Sequence, residues 1–421
     1  MKIIADFHIH SKYSRATSRE MEVATLALWA EKKGINLLGT GDFTHPQYFA
    51  ELQGALEPAE KGLFKLRARP SPVRFVLTVE VSNIFPAKGG GPAKRIHTIV
   101  FAPSFEAAQK INTSLSRLGK LSSDGRPIFG FHVKQIVKIA LDASPDCLVV
   151  PAHAWTPWFS VFGANSGFDS LEECFEEEAK NIFAIETGLS SDPAMNWRLS
   201  ALDRITLLSN SDSHSPSRIG REANVFDCEM DYFEIVKAIR EKDRKKLLYT
   251  VEFFPEEGKY HFDGHRACDL VLAPEESKKL NKVCPRCNKK LTIGVLHRVE
   301  DLADREEGFL PKNTIPFKNM IPLDEIIADA FGQAVGTKAV EQEYERMIKQ
   351  TGPELSILFD KSREELLPLV PPRILEGILR VRDRQVEILP GYDGVYGKIE
   401  IFKEGEKTEA VSTPTRQMEL F

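Results

Sequence analysis

The sequence predicts an α/β protein, and three observations carry that reading. Up to about residue 250, short apolar runs alternate with helical patterns, the mark of βα units around a parallel sheet. Nearly every one of those runs leads into a residue able to hold a metal. Beyond 250 the chain turns Cys/His-rich and then helical. The 421 residues, 42% hydrophobic and 28% charged, suffice for two or three domains and a sizeable core. A net charge of -5 with both signs mixed excludes a chain that is disordered as a whole or a generally basic coat. No run of about 18 apolar residues offers a membrane span. The opening MKIIADFHIH puts Asp6 and His8 where a signal peptide needs apolar residues, so a cytoplasmic protein is expected.

The expected strands are Lys2–Phe7, Ile35–Thr40, Val73–Glu80, Ile96–Phe101, Cys147–Pro151, Ile182–Glu186 and Ile205–Ser209. Between the first two, the pattern predicts a helix over Arg19–Lys33, with Ser18 as N-cap and Gly34 as stop. A second helix is expected over Phe105–Leu118. From Leu323 to about Arg380 the chain reads as helical, interrupted at Pro371-Pro372. Gly391–Phe402 reads as strand-like, and 404–414 as polar and disordered. The implied parts are residues 1–250, 251–310, 311–403 and 404–421.

The residues at the strand ends suggest chemistry. His8 and His10 come after the first strand, Asp42 and His45 after the second, and Glu80 ends the third. His153 comes after the fifth, Glu186 ends the sixth, and Asp212 and His214 come after the seventh. In α/β barrels the active site gathers at the carboxyl ends of strands. An HxH pair puts two imidazoles on one side of the backbone, because side chains alternate with period two. His8, His10, Glu80 and Asp212 would suit zinc or manganese, with Glu80 bridging to a second metal completed by His97 and His153. His214 would serve a third metal with Asp42 or His45. Metals about 3.5–4 Å apart clamp both oxygens of a phosphoester displacement and supply hydroxide near neutral pH. Glu80 and Asp212, with Glu186 and Asp192 as further candidates, are the expected catalytic carboxylates. The plain alternative for Glu186 and Asp192 is a cap or turn carboxylate.

The stretches FHIH, GDFTH, TVEVS, RIHTI, PAHAW and SNSDSH resemble the motifs of the PHP (polymerase and histidinol phosphatase) family. The resemblance implies a distorted (β/α)7 barrel with a trinuclear metal site, over roughly residues 1–250. It supports His8, His10, Glu80, His97, His153, Asp212 and His214 as ligands of two or three zinc, manganese or magnesium ions. Many members carry a further His soon after HxH. Here that stretch reads SKYSRA, so the third metal would need Asp42, His45 or another residue.

His265-x2-Cys268 and Cys284-x2-Cys287 form two knuckles whose soft sulfur and nitrogen donors select one structural zinc. His261 could replace His265. Lys278, Lys279, Lys282, Arg286, Lys289 and Lys290 crowd this module and could meet phosphates, or could form a solvated loop. After His153, the Pro- and Gly-broken loop holds Trp155, Trp158, Phe159, Phe162 and Phe168. Trp155, Trp158, Phe159 and Phe168 could stack an extruded base while Asn165 and Ser166 read its edge; the alternative is scaffold packing. The terminal Gln417, Leu420 and Phe421 are similar to a sliding-clamp motif on a flexible tether.

Taken with FDGHRAC, CPRCNKK, GLSSDPAMNWR and GYDGVYG, this architecture resembles the endonuclease Q family over nearly the whole chain. The resemblance implies a nucleoid-associated repair nuclease acting on double- or single-stranded DNA. It would nick 5′ to uracil, hypoxanthine, xanthine or an abasic site. A small-molecule phosphoesterase of the histidinol phosphatase kind, or a non-catalytic clamp-binding DNA adaptor, are the alternatives from other classes.

Overall fold

The computed structural model describes residues 1–403 and Glu406. The chain forms two units, one of Met1–Met320 with Pro390–Lys398, the other of Ile321–Leu389 with the chain from Ile399. No helix among the described residues is long and apolar enough to cross a membrane.

The first unit is mixed α/β. Its strands are β1 (Lys2–Asp6), β2 (Leu37–Gly39), β3 (Leu56–Pro58), β4 (Phe64–Leu66), β5 (Arg74–Phe85), β6 (Lys94–Ala102), β7 (Ile128–Phe129) and β8 (Leu148–Pro151). Then come β9 (Ala184–Glu186), β10 (Thr206–Leu208), β11 (Ala223–Asp227), β12 (Leu247–Glu252), β13 (Asp263–His265), β14 (Leu270–Leu272) and β15 (Phe317–Asn319). The central sheet runs β15-β12-β11-β1-β2-β5-β4-β3, with β6 and β7 on β5 and β8 on β6. β9 and β10 form a parallel pair, and an isolated parallel bridge joins Ile9 to Ser213.

All seven expected strands form, but the sheet is not parallel throughout. β5–β6 and β6–β8 are antiparallel. Residues 86–93 link β5 to β6, too short a path for the crossover helix that a parallel pair requires. Gly89, Gly90 and Gly91, at φ 79, 89 and 103, make that reversal.

The first helix spans Val23–Lys33 and not Arg19–Lys33; Glu22, not Ser18, is its N-cap. Residues 18–22 are tied elsewhere: Lys12 N–H donates to Met21 O, Ser18 N–H donates to His214 O, and the Met21 side chain is buried. Gly34 ends the helix at φ 86, its N–H donating to Ala30 O. The second expected helix spans Phe105–Ser116, with the Ser104 side chain accepting Ala107 N–H.

The core lies directly beneath the expected ligands. Phe7 packs edge-on against Phe101 and Phe226, at centroid distances of 5.2 and 6.2 Å, with Leu37, Val76, Val150 and Leu208 around them. Because side chains alternate, burying Phe7 in that core turns His8 to the opposite side. Truncating such a fully buried Phe costs about 3–5 kcal/mol.

The second unit is helical: Leu323–Phe331, Lys338–Thr351, Glu354–Phe359, Arg363–Leu366 and Pro372–Arg382. Pro371 caps the last of these and Pro372 opens it, where a missing N–H costs nothing. Buried Glu354 accepts Leu323 N–H at 3.1 Å and Tyr344 O–H at 2.7 Å. The strand expected over Gly391–Phe402 is confined to Lys398–Glu400. Asp393 and Gly394, at φ 42 and 85, reverse the chain before it. Apart from Glu406, residues 404–414 lie outside the described residues, as do Gln417, Leu420 and Phe421.

Candidate metal centre and Cys/His module

One carboxylate organises the site. Glu80, buried midway along β5, turns Oε2 to His10 Nε2 at 3.2 Å and to His8 Nε2 at 3.6 Å. Its Oε1 meets His97 Nδ1 at 2.6 Å and His153 Nε2 at 3.1 Å. Asp212 Oδ1 lies 3.1 Å from His10 Nε2 and 3.6 Å from His8 Nε2. Two ligating groups result: His8, His10, Glu80 and Asp212, and Glu80, His97 and His153. Within each, the donor atoms lie within 4.8 Å of one another. Register explains Glu80 and His97: Glu80 pairs with Ile99 and Ser82 with His97, so both side chains rise from the same face of the β5–β6 ribbon.

Metal ions fit these residues. His8 Nε2 is buried without a hydrogen-bond partner, yet it faces two carboxylates. Although burial opposes protonation, Glu186, Asp212 and Glu80 hold His8 well above the usual imidazole range. Burial likewise opposes the charge on His10, and Asp212, Asp42 and Glu80 outweigh it. A pit whose carboxylates draw protons onto buried imidazoles is one that takes up cationic charge. Burial pushes His97 the other way, to about 4, keeping it neutral as a ligand must be.

Backbone in unfavourable conformations holds the site. Asp42, His153 and Asp212 have φ of 46, 29 and 46, a region that costs residues other than glycine about 1–3 kcal/mol. For His153 the restraint is visible: its N–H donates to Glu186 Oε2 at 2.7 Å.

Several expected ligands stand one step back. Both oxygens of Glu186 meet His8 Nδ1, at 3.0 and 3.1 Å, and Asn210 Nδ2 donates to Oε1 at 2.9 Å. Glu186 therefore orients His8 and does not belong to either ligating group. Asp42 does the same for His10, at 3.3 Å from Nδ1. It also accepts the Ser11 N–H and O–H, both at 2.6 Å, and the Ser14 O–H at 2.8 Å. His45 stacks on Tyr13 at 4.2 Å, outside the cluster. His214 lies beside it, ring to ring with His10 at 4.5 Å, with Nδ1 2.9 Å from Asp212 O. Among the described residues, no further group of three such side chains forms outside these two and the Cys/His module. Asp192 caps a helix, accepting Met195 N–H at 2.9 Å, and belongs to neither ligating group.

Arg126 has no counterpart among the expected site residues. Its guanidinium donates to Glu80 Oε2 at 2.9 Å while 28% of the side chain stays exposed. Asn210 is a second such residue; its Oδ1 accepts Phe7 N–H at 2.9 Å, tying β1 to the segment after β10. A lone Arg or Asn carries no sequence signal. Ser11 and Ser14 do carry one: hydroxyls just after HxH, in a run otherwise read only as lacking a histidine, are natural partners for a nearby carboxylate.

The aromatic loop divides. Trp155 is buried, its Nε1–H donating to Asn196 Oδ1 at 2.8 Å and its ring 4.7 Å from Phe162. Ser166 is buried and accepts Phe159 N–H at 3.1 Å. Both side chains are thus packed and hydrogen-bonded within the loop's surroundings, as the scaffold alternative expects. Trp158 and Asn165 are exposed, Phe159 and Phe168 half-buried.

His265, Cys268, Cys284 and Cys287 converge, with donor atoms within 4.8 Å of one another and Cys287 Sγ 3.6 Å from His265 Nδ1. Zinc fits them. Burial opposes it, but the N–H groups of Arg286 and Cys287 hold the Cys284 thiol below its ordinary value, favouring a thiolate. The turn Gly391–Gly397 braces the module: Tyr392 O–H donates to Asp269 at 2.7 Å and Thr292 O–H to Asp393 at 2.6 Å. His261 is no substitute ligand; it is buried outside the set, stacked on Phe262. Arg286 is engaged with Cys268 O and Asp269 O, and Lys278 and Lys282 pair with Asp301 at 3.3 and 3.5 Å. Lys279, Lys289 and Lys290 are exposed.

Fold and site together define an α/β protein with a buried imidazole–carboxylate centre and a separate Cys/His module. Residues 322–385 match the family described as the MJ0043 C-terminal domain. The chain is 30% identical to the uncharacterised protein YqxK of Bacillus subtilis over 94% of its own length and 99% of that protein. It is 35% identical over 257 residues to the uncharacterised protein MJ0043 of Methanocaldococcus jannaschii, 31% of whose length it spans. The crystal structure of the lesion-specific endonuclease PfuEndoQ from Pyrococcus furiosus superposes with a TM-score of 0.84 at 32% identity, covering 96% of both chains. Endonuclease Q bound to a 27-mer duplex with an abasic lesion at its active site gives 0.83 at 32% identity, covering 97% of this chain and 98% of that one. The chain belongs to the endonuclease Q family.

Proposed function

We propose that this protein is a DNA repair endonuclease that hydrolyses the phosphodiester 5′ to deaminated bases and abasic sites. One observation carries the reading. Buried Glu80 joins two ligating groups, in a chain that shares its fold along almost its whole length with a lesion-specific endonuclease. His8, His10, Glu80 and Asp212 would hold one divalent ion, and Glu80, His97 and His153 another. Such ions activate water and neutralise charge on a phosphodiester when bound. Zinc, manganese and magnesium are the candidates.

The chain's own residues do the positioning. Glu186 and Asp42 fix the His8 and His10 rings from behind. Arg126 offers its guanidinium to a phosphate drawn against Glu80. Exposed Trp158 and Asn165, with half-buried Phe168, are the groups left to meet an extruded base. We read β1, β2, β5, β6, β8, β9 and β10 as the staves of a distorted (β/α)7 barrel of the PHP type; the Ile9–Ser213 bridge supports that closure. In the same reading residues 251–310 form a zinc module, 311–403 a DNA-binding helical part, and 404–421 a tail that docks on a sliding clamp.

The test uses end-labelled duplexes with one uracil, hypoxanthine or abasic site, incubated with protein and magnesium or manganese. A single nick 5′ to each lesion, and none in the undamaged strand, is expected. Hydrolysis of a generic phosphomonoester with intact lesion duplexes would replace this reading with a small-molecule phosphoesterase.

A further inference from the structure

We propose that Arg95, held over the ring of Phe159, is a substrate-positioning residue that grips the DNA phosphate next to the one being cut. The inference rests on the nuclease reading above and adds a subsite to it. Arg95 pairs with Ile84 and His97 with Ser82 across the β5–β6 ribbon, so Arg95, His97 and Glu80 share one face. Arg95 therefore stands two residues outward from a cluster imidazole, roughly 7 Å along the strand. That is one nucleotide step away from the metal centre, on the side open to solvent.

Three observations make this more than an exposed arginine. Arg95 is exposed and its guanidinium makes no ion pair among the described residues, unlike Arg126, which Glu80 engages. Its one ring contact is with Phe159, 5.5 Å from guanidinium carbon to centroid, and the same ring lies 4.6 Å from His97. Phe159 itself is held at φ 62, a conformation a Phe adopts only under restraint. The restraint comes from three bonds: His97 N–H to Phe159 O at 3.1 Å, Phe159 N–H to Ser166 Oγ at 3.1 Å, and Arg95 N–H to Ser166 O at 3.2 Å. The loop is thus laced to β6 on both sides of the ring, and restraint at an unfavourable φ marks a position kept for use. An aromatic face limits where a guanidinium can swing without neutralising it. The result is a preset cation beside the scissile position, and it moves Phe159 from a base-stacking role to support of Arg95.

The test compares wild type, Arg95→Ala, Arg95→Lys and Phe159→Leu on the full-length protein. Binding to a lesion duplex is measured without added metal across a salt series, and nicking with it. For Arg95→Ala, Kd and KM should rise about tenfold, as for loss of one charged hydrogen bond, with kcat moving far less. Binding to undamaged duplex should weaken equally, since phosphate contacts position but do not specify. The slope of log Kd against log salt should fall by about 0.9. Arg95→Lys should restore the slope, and Phe159→Leu should lose part of the affinity with the slope kept. An unchanged salt slope in Arg95→Ala, or a loss of kcat at constant KM, overturns the proposal. A wild type that neither binds nor nicks DNA overturns the nuclease reading instead.

Discussion

The ligating side chains of the imidazole–carboxylate centre come from five strands or the segments just after them; His10 and Asp212, in contact, are 202 positions apart. Those of the Cys/His module come from one short segment, with His265 and Cys287 only 22 apart. The first set is buried, save for half-exposed Asp212, and braced from behind by Glu186 and Asp42. In the second, Cys284 is buried but Cys268 is only half-buried and Cys287 is exposed. The contrast separates two uses of similar donors. In the centre, the fold comes first and prepares the ligands. In the module, a bound ion would make binding free energy and local folding free energy the same quantity.

The largest expected effect tests the first half. Asp212→Ala or His8→Ala should reduce nicking of a lesion duplex to background while the circular-dichroism melting curve barely moves. A collapse in melting temperature would mean that the centre holds the fold together. Next comes the module. Cys284→Ser with Cys287→Ser should expose residues 265–290 to limited proteolysis and lower DNA affinity, leaving the nicking chemistry intact once substrate saturates. Unchanged protease resistance and affinity would erase the distinction.

Smaller effects refine it. Glu186→Gln and Asp42→Asn should each lower metal affinity or activity about 10–100-fold, through disturbed His8 and His10 rings. Isothermal titration with manganese reads this directly, and wild-type affinity in both would make them bystanders. Smallest is a pH effect next to the module. Burial depresses His261 to about 4, so the folded chain refuses a proton that the unfolded chain accepts below its ordinary 6.5. Its contribution is complete above pH 6.5 and fades as pH falls toward 4, by up to roughly 3 kcal/mol. Urea denaturation at pH 7 and pH 5 should show a smaller loss in His261→Phe than in wild type.

Legibility tracks pattern. The seven early strands can be read because apolar runs of their length recur between helical patterns, and His8 and His10 because period two sets them on one side. Glu80 and His97 lie on one face only through pairing register, which no local pattern declares. The sequence places Asp42 and Glu186 near strand ends, but whether a carboxylate faces the cluster or the back of an imidazole depends on a few ångströms of loop. Asp192 shows the same limit: a carboxylate before Pro is both a cap signal and a catalytic candidate, and here it caps a helix. The antiparallel turn at Gly89–Gly91 is visible in composition, yet strand-and-helix alternation alone reads as a parallel sheet.

That hairpin has a practical consequence. Glu80, Ser82, Arg95 and His97 keep their alignment because β5 and β6 are paired without a break from Leu77 to Phe85. Lengthening the glycine tip leaves every rung in place, so natural variants should differ freely in size there. A single codon inserted between Glu80 and Ser82 would invert the side chains beyond it and dismantle both halves of the centre at once.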